Sequence, residues 1–211
     1  MGTAERRQRE KLQRQTTIVN AAEKIIFEKG LQKATMDEIA AEAELSKGTL
    51  YLYFTSKEQL YMAIIQRAMS TLTSLFRKAT DIDGTGVEKV YSIGRAYYQF
   101  FLDYPNYFNA LMYYENLEID LETTDEIVRY CLMNGDENLT ILIKAIEEGQ
   151  ADGSVKKELD PVKTALLLWT QTTGVVLGAS AKKDIIENHY KVKYDDLIDN
   201  FFEFVGIALS N

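Results

Sequence analysis

The segment KGTLYLYF at residues 47–54 carries the side chains best suited to contact a partner molecule. A helical period predicts that Leu50 and Phe54, four residues apart, pack inward on the same face. The polar side chains of the segment then point outward or to the flanks: Lys47, Thr49, Tyr51 and Tyr53. Hydroxyl and ammonium groups donate hydrogen bonds, so these side chains are suited to binding a partner molecule.

Gly48 lies within this segment, where a glycine weakens a helix by up to about 1 kcal/mol. A helix that meets only water gains nothing from it. A helix in a DNA groove does gain, because the missing side chain lets the backbone approach phosphates or base edges. The segment therefore favours contact with DNA.

An enzyme is the main alternative class. The chain has one histidine, His189, and one cysteine, Cys131, 58 positions apart. A zinc site or a nucleophile pair would need these two residues together with further partners. Adjacent carboxylates such as Glu147 and Glu148 diverge on a helix, and the sequence has no glycine-rich phosphate loop. We therefore expect no catalytic residue, no metal and no cofactor.

Three helices are predicted to position the 47–54 segment. The first covers residues 8–29 and ends at Gly30, and a capping box of Thr35 and Glu38 opens the second. Residues 44–46 form a turn, and Ser46 caps the helix at 47–54. A repeat of the capping pattern at residues 56–59 begins a long helix that reaches about residue 78. Two short helices joined by a three-residue turn form a helix-turn-helix.

This region resembles the DNA-binding signature of the TetR family of bacterial transcription regulators. The resemblance runs without a gap over about residues 17–62 and includes TMDEIA at 35–40, AELSKGTLYLYF at 43–54 and SKEQL at 56–60. It implies a recognition helix in the major groove. The implied phosphate contacts are Thr35, Ser46, Tyr53 and Lys57. The implied neighbours of base edges are Lys47, Gly48, Thr49 and Tyr51.

Simpler roles stay open for several of these residues. Thr35 and Ser56 cap helices in either case, and the two tyrosines are alternatively packing aromatics. The basic stretch from Arg6 to Arg14 is either a disordered tail or an arm that reaches an adjacent minor groove. Lys57 begins a helix, where backbone N–H groups also favour an anion.

The net charge of −8 is unevenly distributed. Residues 1–62 contain ten Lys and Arg against nine Asp and Glu, whereas the remaining residues contain fourteen against twenty-three. A basic end and an acidic body suit a protein that binds DNA at one end. The lone cysteine fits a reducing cytoplasm.

The rest of the chain predicts an all-α fold, with helices over about 86–103, 105–117, 123–149, 161–181 and 194–209. We expect two domains: the helix-turn-helix with a basic N-terminal arm at 1–62, and a helical-bundle ligand-binding and dimerisation domain at 63–211. Residues 164–181 contain no charge and reach the lower limit for a membrane span. Their threonines and glutamine favour a helix buried in protein, so no membrane partner is expected.

Aromatic side chains are dense in the second domain. Aromatics at helical spacing usually form core, but their number here favours a mostly apolar cavity for a small effector. The candidate lining residues are Tyr97, Phe101, Phe108, Met112, Tyr113, Tyr130 and Trp169.

The last two predicted helices are expected to form a homodimer interface. Gly174 and Gly178 lie four apart and allow close helix approach, and an apolar stripe follows in the final helix. The candidate interface residues are Trp169, Gly174, Gly178, Leu197, Phe201, Phe204 and Val205.

The function that these patterns favour is a dimeric repressor released from a pseudo-palindromic operator by a small, largely apolar effector. Two alternatives stay open at this point. The protein is a DNA-binding regulator without an inducer or controlled by a protein partner, or it is an all-helical enzyme.

Overall fold

The computed structural model describes residues 3–117 and 126–210, which are predominantly helical and contain no strand within those ranges. The predicted all-α class is confirmed. The helices are α1 (Thr3–Lys29), α2 (Met36–Glu42), α3 (Lys47–Tyr51), α4 (Lys57–Thr80), α5 (Gly86–Asp103), α6 (Pro105–Glu115), α7 (Glu126–Asp152), α8 (Pro161–Ala181), α9 (Lys183–Asn188) and α10 (Tyr194–Leu209).

Local capping signals were predicted correctly. The Thr35 side chain accepts a hydrogen bond from the Glu38 backbone N–H while the Glu38 carboxylate accepts from the Thr35 N–H, which completes the capping box of α2. Ser46 caps α3 through the N–H of Thr49. Gly30, at φ 80°, ends α1 as predicted. Helix α8, with Pro161 in its first turn, is capped by Asp160, and this cap was not predicted.

Several predicted boundaries were wrong. Helix α1 begins at Thr3, so the basic stretch predicted as an arm is helical and exposed; its Arg, Lys, Gln and Glu residues are good helix formers, and Arg6 pairs with Glu10 one turn later at 2.8 Å. Helix α9 was not predicted, because its six residues are too few to show a period. The start predicted at 123 for α7 lies outside the described residues.

The recognition segment also ends earlier than predicted. Helix α3 stops at Tyr51, and the N–H groups of Tyr53 and Phe54 both donate to the Leu50 carbonyl at 3.0 Å. This tight turn carries Phe54 into the core, where only 4% of it is exposed. The inward pair of Leu50 and Phe54 is therefore confirmed although the helix is shorter.

The chain divides into two compact units. The first unit comprises Met1–Ala68 and Asn106–Cys131, and the second comprises Met69–Pro105 and Leu132–Asn211. The boundary falls within α4 and within α7, so each of these helices supplies residues to both units. The predicted division at residue 62, between a DNA-binding domain and a ligand-binding and dimerisation domain, assigns functions and stays a prediction.

The first unit is discontinuous because α6 packs on the helix-turn-helix. The Tyr107 hydroxyl donates to Glu23 of α1 at 2.9 Å, and Arg67 of α4 pairs with the same carboxylate at 3.1 Å. Rings of α6 also make edge contacts with Phe27 at 5.9 Å and with Tyr61 at 5.0 Å between centroids. These contacts join α1, α4 and α6 around one carboxylate.

The second unit is held by close helix packing at the start of α5. A Cβ built on Gly86 would lie 2.0 Å from the Gly149 backbone nitrogen of α7. The Gly86 N–H donates to Asp152 at 2.8 Å and the Val87 N–H donates to Ser154 at 3.1 Å, which ties the same helix start to the loop after α7. In the other half of α5, Arg95 pairs with Asp199 of α10 and lies over the Phe202 ring.

No helix within residues 3–117 and 126–210 combines the length and apolar character that crossing a bilayer requires.

Candidate nucleic-acid interface

Helix α3 presents one face to the core and the opposite face to solvent. Leu50 is fully buried, whereas Lys47 and Gly48 are exposed and Tyr51 is 41% exposed. Thr49 and Tyr53 are half-buried at the flanks. The outward group predicted from the helical period therefore lies where a groove-binding helix needs it.

The serine and threonine hydroxyls of Ser46, Thr49 and Thr35 already have partners within the chain. Ser46 Oγ lies 2.8 Å from Thr49 Oγ1 and accepts from the Thr49 N–H at 3.1 Å. The Thr35 hydroxyl donates to Glu38 at 2.9 Å. A hydroxyl oxygen has two lone pairs and one proton, so each group fixes its helix first and retains limited capacity for a phosphate.

Lys47 forms an ion pair across the two short helices. Its ammonium nitrogen lies 2.6 Å from the Asp37 carboxylate, and both side chains are more than half exposed. The hydrogen bond and the charge of Asp37 raise the pKa of Lys47. The lysine predicted to lie near base edges is thus held by Asp37 at the N-terminal end of α3.

Lys57 has a structural role that the sequence did not reveal. Its ammonium group donates to the backbone carbonyls of Leu31 at 2.9 Å and Gln32 at 3.0 Å, in the turn that follows α1. An ammonium group has three N–H donors, so one donor is left for a phosphate. The predicted phosphate contact stays a prediction, now beside a role in closing this turn.

Gly48 has no explanation inside the folded chain. A Cβ built there would meet only Ser46 Oγ, at 4.0 Å, which is beyond close contact. Its φ does not fall in the left-handed region where glycine is favoured. An alanine would fit and would favour the helix, so the small size of Gly48 has no intramolecular use.

The predicted effector-binding residues fall into two groups. Phe108, Met112, Tyr113 and Tyr130 belong to the first unit, and Tyr97, Phe101 and Trp169 belong to the second. Phe108 and Tyr97 are buried, and the Tyr97 hydroxyl lies 2.8 Å from Thr173 Oγ1 on α8. A surface depression of the described chain, lined by Arg77, Lys78, Thr80 and Asp81, includes none of the seven residues. That these seven residues line an effector-binding cavity stays a prediction.

The predicted interface residues of α8 and α10 lie on a surface rich in apolar side chains. Gly174 and Gly178 are exposed, and a Cβ on either would meet nothing within 4 Å. Phe204 is 69% exposed, while Trp169, Leu197, Phe201 and Val205 are half-buried. The sequence did not single out further exposed members of this surface: Leu166, Leu167, Leu177 and Ile207.

The two residues weighed for the enzyme alternative belong to different units. Cys131 is buried and belongs to the first unit, whereas His189 is exposed, belongs to the second unit and contacts the Tyr190 ring.

Comparison with known proteins identifies the region around α3. The family model described as "Bacterial regulatory proteins, tetR family" matches residues 18–64. The chain is 33% identical over 88 residues to the HTH-type transcriptional activator FasR of Mycolicibacterium smegmatis, a match that covers 42% of this chain and 40% of FasR. The match therefore spans well under half of that relative.

Solved structures share the fold over nearly the whole chain. A transcriptional regulator of the TetR/AcrR family from Thermobifida fusca has a TM-score of 0.67 at 21% identity, covering 92% of this chain and 97% of that one. AibR, solved in complex with isovaleryl coenzyme A and operator DNA, has a TM-score of 0.62 at 20% identity, covering 90% and 97%.

Proposed function

The chain belongs to the TetR family of bacterial DNA-binding transcription regulators, and from this premise we propose that it is a dimeric repressor released from its operator by a small, largely apolar effector. The observation that carries the proposal is the outward face of α3. That face combines the Lys47 ammonium group, the Tyr51 hydroxyl and Gly48. Of these, the glycine has no use within the folded chain.

The residues around α3 divide by chemistry into two roles. Phosphate contacts come from Thr35, Ser46, Tyr53 and Lys57, and they set the register of the protein on the duplex. These contacts carry no sequence information. Lys47, Thr49 and Tyr51 reach base edges in the major groove, while Gly48 lets the backbone come close. Because Asp37 holds Lys47 in the free protein, the ammonium group exchanges this carboxylate for base-edge acceptors on binding.

Dimerisation follows from the geometry of DNA. Two recognition helices enter successive major grooves when they lie about 34–36 Å apart, so a two-fold protein matches a pseudo-palindromic site. We assign the interface to the exposed apolar surface of α8 and α10. Four helices around a two-fold axis would cover Phe204, and the two open glycines of α8 would admit close helix approach.

Release requires an effector that prefers a conformation with a different spacing of the recognition helices. The aromatic residues predicted from the sequence are the candidate contacts. Within the second unit, the hydroxyl of the buried Tyr97 lies 2.8 Å from Thr173 Oγ1, so a polar group there has a partner. AibR, a protein of the same fold, was solved with isovaleryl coenzyme A and operator DNA, so this fold accommodates a small molecule as well as DNA.

Selection of bound duplexes from a random pool tests DNA recognition and dimerisation together. We expect a two-fold symmetric site with half-sites one helical turn apart. An asymmetric site, or no enriched sequence, would contradict the proposal. A reporter gene placed behind the selected site then distinguishes repression from activation, which is the activity named for FasR.

The dimer surface has its own test. Phe204→Asp places a charge on the exposed surface of α10 and should yield a folded monomer in sedimentation experiments, because a buried unpaired charge opposes association. Tyr190→Asp, at an exposed aromatic outside the two interface helices, is the control and should stay dimeric. Loss of dimer in both variants, or in neither, would argue against this interface.

A panel of apolar compounds tests effector binding through thermal stabilisation, since a ligand that binds only the folded state raises the melting temperature. Any compound that stabilises the protein should also reduce its affinity for the selected duplex. Stabilisation without a change in DNA affinity would remove the release mechanism.

A further inference from the structure

Leu52 is the most exposed of the large hydrophobic side chains in the described part of the chain, at 83%. It follows α3 directly, as the residue that ends the helix. Apolar side chains at this exposure contribute nothing to the core. The position of this one, on the element proposed to enter DNA, is therefore the feature to explain.

The backbone places Leu52 on the outward face of α3. Its dihedral angles, φ −71° and ψ −19°, are helical, so the spacing of the helix extends through it. Residues four apart share a helix face, which puts Leu52 one turn beyond Gly48. Gly48 has open space above it, so a surface that approaches the backbone there also meets the leucine side chain.

The residues next to Leu52 on the exposed side of α3 carry polar groups. Lys47 and Tyr51 share the outward face, and Tyr53 follows it. By contrast, the exposed apolar residues of α8 and α10 are accompanied by one another. A protein partner generally needs a continuous apolar patch, whereas an isolated apolar group among hydrogen-bond donors suits a target that is mostly polar with a local apolar feature.

The major groove is such a target. Every base pair presents hydrogen-bond donors and acceptors there, and the apolar feature is the C5-methyl group of thymine. We propose that Leu52 contacts a thymine methyl group in each operator half-site and thereby selects thymine at that position. The inference rests on the proposed DNA binding and adds a specificity determinant to it.

The test uses the symmetric duplex obtained by selection, with each thymine in turn replaced by deoxyuridine. This replacement removes one methyl group and leaves the pairing edge unchanged. Affinity is measured by fluorescence anisotropy at fixed salt. We expect one symmetric pair of thymines whose replacement weakens binding about three- to fivefold per half-site, the effect of one apolar carbon removed from water.

Variants assign that effect to the leucine. Leu52→Ala should weaken binding to the thymine duplex and should bind the thymine and deoxyuridine duplexes equally, because the methyl group has lost its partner. Leu102→Ala removes an equally apolar exposed side chain from α5 and should retain the full discrimination. Circular dichroism confirms that the exposed substitutions leave the fold intact.

Three results would overturn the inference: half-sites that contain no thymine, no position at which deoxyuridine weakens binding, or discrimination that Leu52→Ala retains in full. In each of them the protein still binds a selected duplex, so the proposed function survives. Failure to select any duplex would instead overturn the proposed function, and the inference with it.

Discussion

Two regions of this protein use glycine within helices for different reasons. At the start of α5, Gly86 is buried against Gly149 of α7, and a Cβ at either position would overlap neighbouring atoms. On the outward face of α3, Gly48 has nothing near it. In the first region the fold itself requires a small residue, whereas in the second it does not.

The difference separates intramolecular from intermolecular requirements. A glycine in a helix costs stability relative to alanine, and some benefit must offset that cost. For Gly86 the benefit is visible in the contact between two helix backbones. For Gly48, and for Gly174 and Gly178 on α8, the folded chain shows no such contact, and our proposals place the benefit in DNA and in a second subunit.

The largest effect is expected from Gly86→Ala. The added Cβ would lie 2.0 Å from the Gly149 nitrogen and 2.6 Å from the Ala145 carbonyl oxygen, both backbone atoms that cannot turn away. We expect a loss of about 3 kcal/mol in the free energy of unfolding, at the upper end of overpacking effects, measured by urea denaturation. Gly135→Ala, within α7 and with open space above it, is the matched control and should be neutral or slightly stabilising. Equal losses in both would remove the contrast.

Gly48→Ala should separate stability from binding. The substitution should raise the free energy of unfolding by up to about 1 kcal/mol, because alanine favours the helix and meets no obstacle. Affinity for the selected duplex should fall about tenfold, the order of one lost base contact. A variant that is less stable, or that binds DNA as tightly as the parent, would show that Gly48 serves the fold after all.

Glu44 is the opposite case, because its backbone conformation favours glycine but the residue is a glutamate. This residue lies in the turn before α3 with φ 54°, a conformation that costs a side-chain-bearing residue about 1–2 kcal/mol. After the extra entropy of glycine in the unfolded chain is subtracted, Glu44→Gly should gain roughly 0.5–1 kcal/mol. Glu44→Ala removes the same charge but keeps the Cβ, so it should bring no such gain in thermal unfolding.

The smallest expected effect concerns a charged group, the Glu38 carboxylate, whose partners lie within the folded chain. Glu38 has its partners inside the first unit: Lys29 at 2.8 Å and the N–H and hydroxyl of Thr35, which together lower the pKa of its carboxyl group. A carboxyl group whose pKa is lowered by folding stabilises the fold at pH values above its ordinary pKa near 4.5. This contribution is lost as the pH falls through the folded-state pKa.

The thermal midpoint should therefore fall more between neutral pH and about pH 3.5 in the parent than in Glu38→Gln, which has no carboxyl group to protonate. Identical acid sensitivity in the two proteins would show that the capping carboxylate contributes no measurable stability.

Sequence patterns predicted the local features of this molecule well. The caps at Thr35 and Ser46 depend on residues within a few positions of one another, and the inward pair of Leu50 and Phe54 follows from helical spacing. The all-α class followed from the same periodicity.

Contacts between distant segments were not predictable. Lys57 was predicted to contact a phosphate from its place at a helix start, and nothing in the sequence indicated that it donates to carbonyls 25 and 26 residues earlier in the chain. The partnership of Tyr107 with Glu23 spans 84 positions, so nothing in the local pattern assigns α6 to the first unit. Leu52 was passed over although helical spacing places it on the outward face with Gly48, because an apolar side chain is ordinarily expected in the core.

The discontinuous first unit limits how such a protein can be rearranged during evolution. A gene segment that encodes only α1 to α4 would separate Glu23 from Tyr107 and Tyr61 from Tyr113, and would leave these side chains facing water. Recombination that exchanges sensor segments must therefore carry a compatible α6, or repair the surface it uncovers. We expect the sequence of α6 to change together with the faces of α1 and α4 that it covers, while other parts of the chain vary independently.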